Sequence, residues 1–158
     1  MTWAEICEDK SLADLPYKIE TNEHGSIIMS PAKHWHGKRQ GRIVRHLDRI
    51  SRAGEIITEV GIETGKGVKV PDVSWCSDEF AAAHVGDEYA LTAAPDICIE
   101  VLSESNSGIE VDEKKFLYFA HGASEVWICD MLGAMAFFIT PTAEVPQSKL
   151  FPGFPAQV

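Results

Sequence analysis

The chain has 158 residues, 45% of them hydrophobic, and a formal net charge of −10. This length suits one globular domain, so we predict a single domain over residues 1–158. No stretch approaches the roughly 18 apolar residues of a membrane span, which excludes a helical membrane protein. The start is charged, and the four cysteines are scattered without a CxxC pair. These features predict a cytoplasmic protein with reduced thiols and without a zinc site.

The N-terminal third is predicted to contain two helices around a β-hairpin. Thr2 can cap a short helix in TWAEICED, and the segments YKIE and SIIMS flank a turn typical of a hairpin. A longer helix is predicted over residues 32–53, with Gly54 as its stop signal. Apolar residues recur in it at helical spacing and form one face: Ile43, Val44, Leu47 and Ile50.

The long helix concentrates positive charge on an otherwise acidic chain. Seven of the fourteen Lys and Arg residues, but only one acid, lie between Lys33 and Arg52, so this segment carries +6 and the remainder −16. A 4-3-4-3 spacing places five of them on one helix face, here called the basic stripe: Lys38, Arg42, Arg45, Arg49 and Arg52. The stripe is interpreted either as an ordinary solvated face or as a surface that contacts phosphates.

The rest of the chain predicts a mixed β-sheet. Residues 54–77 are predicted to form two strands with a hairpin at Gly65–Gly67, followed by an irregular segment. A buried strand in PDICIEVLS, a helix over residues 109–121 and a second buried strand in EVWICD make one unit. Asn106 or Ser107 would cap its helix. Such a unit usually pairs its strands in parallel with a right-handed crossover. A further strand in AMAFFIT and a loop or extended tail complete the prediction.

Carboxylates interrupt two otherwise apolar strands. Asp96 and Glu100 share a strand face but are separated by about 13 Å at strand rise, so they cannot readily bind the same ion. The candidate partner of Glu100 is Asp72, in VPDVSW. If their strands are neighbours, about 4.8 Å apart, both carboxylates can hold one Mg²⁺. For Asp72 alone, the alternative is a strand-end carboxylate that accepts hydrogen bonds from backbone amides.

The ordered segments VPDVSWCS, APDICIEVLSESNS and DEKKFLYFAHGASEVWICD resemble the Uma-two family of restriction endonucleases, within the PD-(D/E)xK nuclease superfamily. YKIETNEHGSIIMSPAKHWHG and LFPGFP are also similar, so the resemblance covers roughly residues 17–155. It implies a restriction-endonuclease-like α/β (α+β) fold, in which helices flank a mixed β-sheet and a β-hairpin lies near the N-terminus.

The resemblance also implies a nuclease site with Asp72 and Glu100 as ligands of Mg²⁺ or Mn²⁺, which would activate a water. The usual superfamily lysine, two residues after the glutamate, is replaced here by Leu102. Lys114, on the following helix, matches the relocated lysine of this family and would assist the attacking water or stabilise the charge on the phosphate. Lys115 is the weaker candidate. Without the resemblance, Lys114 would be expected to be a surface lysine paired with neighbouring acids.

Four further residues are candidates for a supporting role near the metal: Asp96, Ser103, Tyr118 and His36. Asp96 has the alternative of capping its strand, and Ser103 that of forming a turn. His34 and His36 are expected at the start of the long helix, where one of them lines the cleft.

The implied partner is nucleic acid, with DNA as the first choice, and a homodimer would concentrate the basic stripe. The alternative function is a catalytically inactive nucleic-acid- or protein-binding module that keeps the nuclease fold. A third hypothesis is a structural dimer partner whose EVWICD and AFFIT strands present an edge or a face.

Overall fold

The computed structural model describes residues 1–158, in which four helices and ten strands follow one another along the chain. The helices are α1 (Trp3–Glu8), α2 (His34–Ile50), α3 (Asp78–Ala83) and α4 (Gly108–Ala120). The first strands are β1 (Tyr17–Thr21), β2 (Ile27–Pro31), β3 (Glu55–Thr58), β4 (Ile62–Thr64) and β5 (Gly67–Lys69). The remaining strands are β6 (Val73–Cys76), β7 (Ile97–Val101), β8 (Glu125–Cys129), β9 (Met135–Phe138) and β10 (Glu144–Val145).

Six strands form the main sheet, in the order β10-β9-β8-β7-β6-β3. The β7–β8 pair is parallel and the other neighbours are antiparallel, so the sheet is mixed. The predicted strand–helix–strand unit is therefore confirmed as β7–α4–β8. Together with the β1–β2 hairpin, these elements confirm the predicted fold class.

The two faces of β7 build two separate cores, which is why all five of its residues are buried. On one face, Ile97, Ile99 and Val101 belong to the main core with Ile43 and Leu47 of α2. On the other face, Cys98 packs in a second core that includes α4. Because the strand is buried on both faces, Glu100 within it must find all its polar partners inside the protein.

The hairpins β1–β2 and β4–β5 form separate small sheets beside the main one. They meet at Gly67, which has a φ of +85° and lies so close to β1 that an added Cβ would be 2.5 Å from the Thr21 carbonyl oxygen. The Val68 amide donates to the Thr21 hydroxyl at 2.8 Å. This contact fixes β1, and with it the side chains that β1 sends towards the main sheet.

Several predicted boundaries were wrong. The long helix ends at Ile50 with Ser51 as its C-cap, before Gly54. Residues 54–77 form four strands, because the chain leaves the main sheet after β3, near the positive φ of Glu59, and returns only after Pro71. The segment expected to be irregular begins with α3, whose N-cap Ser77 accepts a hydrogen bond from the Phe80 amide.

The tail is folded against the sheet by a buried carboxylate. Glu125 accepts hydrogen bonds from the Trp127 indole at 2.7 Å and the Ser148 hydroxyl at 2.8 Å. It also accepts from the backbone amides of Lys149 and Leu150, both at 2.8 Å. Each carboxylate oxygen of Glu125 thus accepts two hydrogen bonds, so this buried acid has a structural role. The tail that it holds places Phe154 in the main core.

EVWICD and AFFIT do not form an edge of the main sheet, so that version of the dimer hypothesis is wrong, while a dimer through a face stays a prediction. EVWICD forms β8, which is buried between β7 and β9, and AFFIT contributes to β9, whose outer side is partly covered by β10. The edges of the main sheet are β3 and β10.

Candidate active site

Strand register brings the two predicted metal ligands together. Val73 of β6 pairs with Ile99 of β7 in antiparallel register, so Asp72 and Glu100 occupy adjacent positions at the end of the pair. One oxygen of Asp72, Oδ2, accepts a hydrogen bond from the Val101 amide at 2.7 Å. The two carboxylates therefore lie on the same side of the sheet and line one cleft.

A lysine that sequence reasoning missed bridges this pair. The Lys18 ammonium donates to Asp72 Oδ1 at 3.0 Å and to Glu100 Oε2 at 3.2 Å. It comes from β1, and the Lys18 side chain is only 13% exposed.

A third carboxylate, also missed, lies two residues further along β1. Glu20 Oε1 accepts from the Val70 amide at 2.7 Å and from the Lys114 ammonium at 2.8 Å. Lys18 and Glu20 share a strand face because they are two residues apart. The spacing of Lys18 and Glu20 was the only indication in the sequence that both could serve one site. No neighbouring residues indicated that the β1–β2 hairpin covers the ends of β6 and β7.

Lys114 lies in the cleft rather than in solvent. Its ammonium contacts Glu100 Oε1 at 3.3 Å in addition to Glu20. Its sequence neighbour Lys115 points elsewhere, to Asp112 at 3.0 Å and over the Phe138 ring at 3.9 Å from the ring centre.

Two of the predicted supporting residues touch the acids directly. The Tyr118 hydroxyl donates to Glu100 Oε1 at 2.6 Å, deep in the second core. His36 Nε2 lies 3.4 Å from Asp72 Oδ2. The hydrogen bond to Asp72 is the main reason that the pKa of His36 is raised above its ordinary value, and partial burial opposes the shift.

Three carboxylates and two ammonium groups thus share one buried site, with a sum of −1. Burial by itself would raise the pKa of Asp72, but the Lys18 charge and the His36 hydrogen bond outweigh it, so that pKa lies below its usual range. The pKa of Glu100 is raised, mainly by burial and against the pull of Lys114 and Lys18. Burial would lower the pKa of Lys114, but the Glu100 charge and then Glu20 outweigh both burial and the nearby Lys18 charge and raise it. Lys114 is therefore a cation at neutral pH.

The cleft is narrow and polar. Its volume is about 40 Å³, and most of its lining residues are polar or charged. One water needs roughly 10–15 Å³ of cavity volume. The cleft therefore has room for a few waters or a partly hydrated ion but not for a whole nucleotide.

No group of three or more His, Cys, Asp or Glu side chains is arranged to hold a metal ion on its own. The donor set still fits a hard divalent cation, because Mg²⁺ prefers oxygen and is usually held by one or two carboxylates, waters and a substrate phosphate. The bridging ammonium shows directly that Asp72 and Glu100 together can hold a positive charge between them.

The other predicted residues lie outside this constellation. Asp96 is at the far end of β7, where it accepts from the Ser77 amide at 2.8 Å. Ser103 lies at the rim of the cleft, where its amide donates to Asn106 Oδ1 and its hydroxyl meets the Ser105 hydroxyl, both at 2.8 Å. Ser103 thus lies in a turn. Asp96 does not bond local backbone, as its capping alternative assumed, but links the start of β7 to the residue after β6.

The basic stripe is exposed but does not line the cleft. At about 100° per residue, the four stripe residues within α2 lie on the side opposite to Ile43 and Leu47, which face the sheet. Arg52 lies beyond the end of α2 at Ile50, so the helical part of the predicted stripe ends at Arg49. Contact with phosphates along this stripe therefore remains a prediction for nucleic acid outside the cleft.

One family model matches most of the chain. Residues 11–150 match the Uma2 family model, described as "Putative restriction endonuclease". The chain belongs to the Uma2 family. The match includes every cleft residue named above, from Lys18 to Tyr118, so the Uma2 assignment and the cleft concern the same part of the chain.

A solved structure shows the same fold. It is described as a "putative nuclease belonging to DUF820" from Anabaena variabilis, with a TM-score of 0.69 and 22% sequence identity. The alignment covers 92% of this Uma2 chain and 83% of the other. No curated protein matches significantly. Each helix of the present structure is too short or too polar to cross a membrane.

Proposed function

We propose that this Uma2 protein hydrolyses phosphodiester bonds of nucleic acid, with Mg²⁺ or Mn²⁺ held between Asp72 and Glu100. The observation that carries the proposal is the convergence of two carboxylates from neighbouring strands on one cation, at 3.0 and 3.2 Å. Membership in the Uma2 family, described as "Putative restriction endonuclease", supports the same reaction class. DNA is the first choice of substrate.

The cleft residues divide the chemistry between them. A divalent ion at Asp72 and Glu100 would neutralise the phosphodiester and lower the pKa of a water. Lys114, held by Glu20 and Glu100, presents a protonated ammonium that can donate to a phosphate oxygen. Its raised pKa favours this electrostatic role over that of a general base. Tyr118 fixes the orientation of Glu100 by its hydrogen bond.

The size of the cleft limits what enters it. With about 40 Å³, it can take an ion, waters and part of one phosphate, while bases and sugars stay outside. The flanking nucleotides would then contact the protein surface, where the exposed arginines of the basic stripe offer phosphate ligands. A homodimer, which would double this basic surface, is part of the proposal.

The test is an assay of plasmid DNA, single-stranded DNA and RNA with Mg²⁺ or Mn²⁺. Asp72→Asn and Glu100→Gln should each lower the hydrolysis rate about a hundredfold or more, since each removes an ionic ligand. Glu144→Gln, which changes an exposed acid of β10 far along the sheet from the cleft strands, should leave the rate unchanged. Activity that persists in both cleft variants would refute the mechanism.

The alternative is a catalytically inactive binding module. The observation in its favour is that an ammonium, that of Lys18, already neutralises the carboxylate pair. This alternative predicts that Mg²⁺ and Mn²⁺ leave the melting temperature unchanged, and that Glu100→Gln stabilises the protein. A rise in melting temperature with either ion would count against it.

A further inference from the structure

The Lys18 ammonium occupies the one place in the cleft where a cation can reach both Asp72 and Glu100. The other oxygens of this pair have different partners. Asp72 Oδ2 is bound by the Val101 amide and lies near His36. Glu100 Oε1 is bound by Tyr118 and Lys114.

Only the two oxygens that face Lys18, Asp72 Oδ1 and Glu100 Oε2, have no other hydrogen-bond donor. These two oxygens are therefore the most available to a divalent ion that bridges the pair. Their use costs less than displacing other donors, because it exchanges one cation for another and keeps the Val101 amide and the Tyr118 hydroxyl paired. The Lys18 ammonium alone must find a new acceptor.

An ammonium and a divalent ion cannot share this position. Mg²⁺ binds oxygens at about 2.0–2.1 Å, so an ion between the two carboxylates would stand where the Lys18 ammonium now lies. Like charges at such short distance also repel strongly in a buried site.

We propose that Lys18 is an exchangeable cation, which holds the carboxylate pair in the metal-free protein and is displaced when a divalent ion binds. Glu20, whose Oε1 lies 4.0 Å from the Lys18 ammonium, is the acceptor within reach of the displaced group. Lys114 stays in place because its partners are Glu20 and the other oxygen of Glu100. The inference rests on the metal site of the proposed function but not on hydrolysis.

The exchange makes a prediction about affinity that needs no substrate. Calorimetric titration of the full chain with MnCl₂ should show that Lys18→Met binds Mn²⁺ at least about tenfold more tightly than the wild type, because the competing charge is gone. Lys18→Arg keeps the charge and should bind no more tightly than the wild type. Lys115→Met, a buried lysine outside the cleft, is the matched control and should not change the affinity.

Loss of Lys18 leaves three carboxylates with one lysine, so the variant is also followed by thermal unfolding with and without MnCl₂. The Mn²⁺-induced rise in melting temperature should be larger for Lys18→Met than for the wild type. Equal or weaker Mn²⁺ binding by Lys18→Met would overturn the inference. So would a gain in Lys18→Arg as large as that in Lys18→Met.

The two proposals can fail separately. If Lys18→Met gains Mn²⁺ affinity but no nucleic acid is cut, the exchange stands and the nuclease proposal falls. If hydrolysis depends on Asp72 and Glu100 while Lys18→Met binds Mn²⁺ like the wild type, the exchange falls alone.

Discussion

Asp72, just before β6, and Glu100, within β7, hold one ammonium between them at 3.0 and 3.2 Å. Two buried carboxylates at adjacent positions would repel each other without a cation, so this relationship explains how the pair is kept in place. It also makes the charge balance of the cleft the main determinant of its chemistry.

The first prediction compares two adjacent buried lysines. Lys114→Met should lower the hydrolysis rate about a hundredfold or more, because it removes the ammonium that we propose donates to the substrate phosphate. Lys115→Met should keep the rate within about twofold, since its partners are Asp112 and the Phe138 ring. Both rates are measured on folded protein, verified by circular dichroism. An equal loss in the two variants would indicate a structural effect of the helix rather than a role of Lys114 in the cleft.

The second prediction concerns the hydrogen bond to Glu100. Tyr118→Phe removes the fully buried hydroxyl that donates to the Glu100 carboxylate at 2.6 Å. The expected cost is about 1–3 kcal/mol, which is seen as a lower midpoint in urea at an unchanged slope. Because burial, followed by the Glu100 charge, raises the pKa of Tyr118, the hydroxyl remains a donor throughout the neutral range. A midpoint equal to that of the wild type would show that the bond adds nothing to stability.

The sequence predicted the strands and the helix of the main sheet that bear Glu100 and Lys114 better than the β1–β2 hairpin that lies over them. β7, α4 and β8 follow from local apolar patterns. The adjacency of the strands of Asp72 and Glu100 was a condition of the predicted metal site, and the register of β6 and β7 meets it. Lys18 and Glu20 were missed because their partners lie far away in the chain. The Lys18 contact with Glu100 spans 82 residues, and the Glu20 contact with Lys114 spans 94. Local periodicity places such residues on a strand face but does not say what that face covers.

The roles of the candidate residues are a separate matter from their positions. Asp72, Glu100 and Lys114 lie together as the family resemblance implied, yet their catalytic function stays a prediction. The extent of a single domain over residues 1–158 and the homodimer also stay predictions.

The third prediction tests the basic stripe. If Arg45 contacts a phosphate, Arg45→Ala should weaken binding of nucleic acid and reduce the slope of log affinity against log salt by about 0.9 for a duplex. Lys149→Ala removes one exposed charge elsewhere and should leave the slope unchanged. Binding is measured by fluorescence anisotropy at several salt concentrations. Identical slopes for both variants would assign the stripe to the solvated surface.

The fourth prediction concerns the thiols. Cys7 is exposed, whereas Cys76, Cys98 and Cys129 are buried, and none forms a disulfide. Burial is the main cause that raises the pKa of Cys129 to about 11, so its thiolate is scarce at pH 8. Iodoacetamide at pH 8 should modify one cysteine in the native protein and four after unfolding, as counted by mass spectrometry. The Cys7→Ser variant should show none in the native state; modification of a buried cysteine there would contradict the packing.

The most direct test of the proposed metal site between Asp72 and Glu100 is the anomalous diffraction of a crystal soaked in MnCl₂. We predict one manganese peak within coordination distance of Asp72 Oδ1 and Glu100 Oε2, with the Lys18 ammonium moved away from both oxygens. A cleft without manganese, in which Lys18 still bridges the carboxylates at saturating MnCl₂, would contradict the proposed metal site.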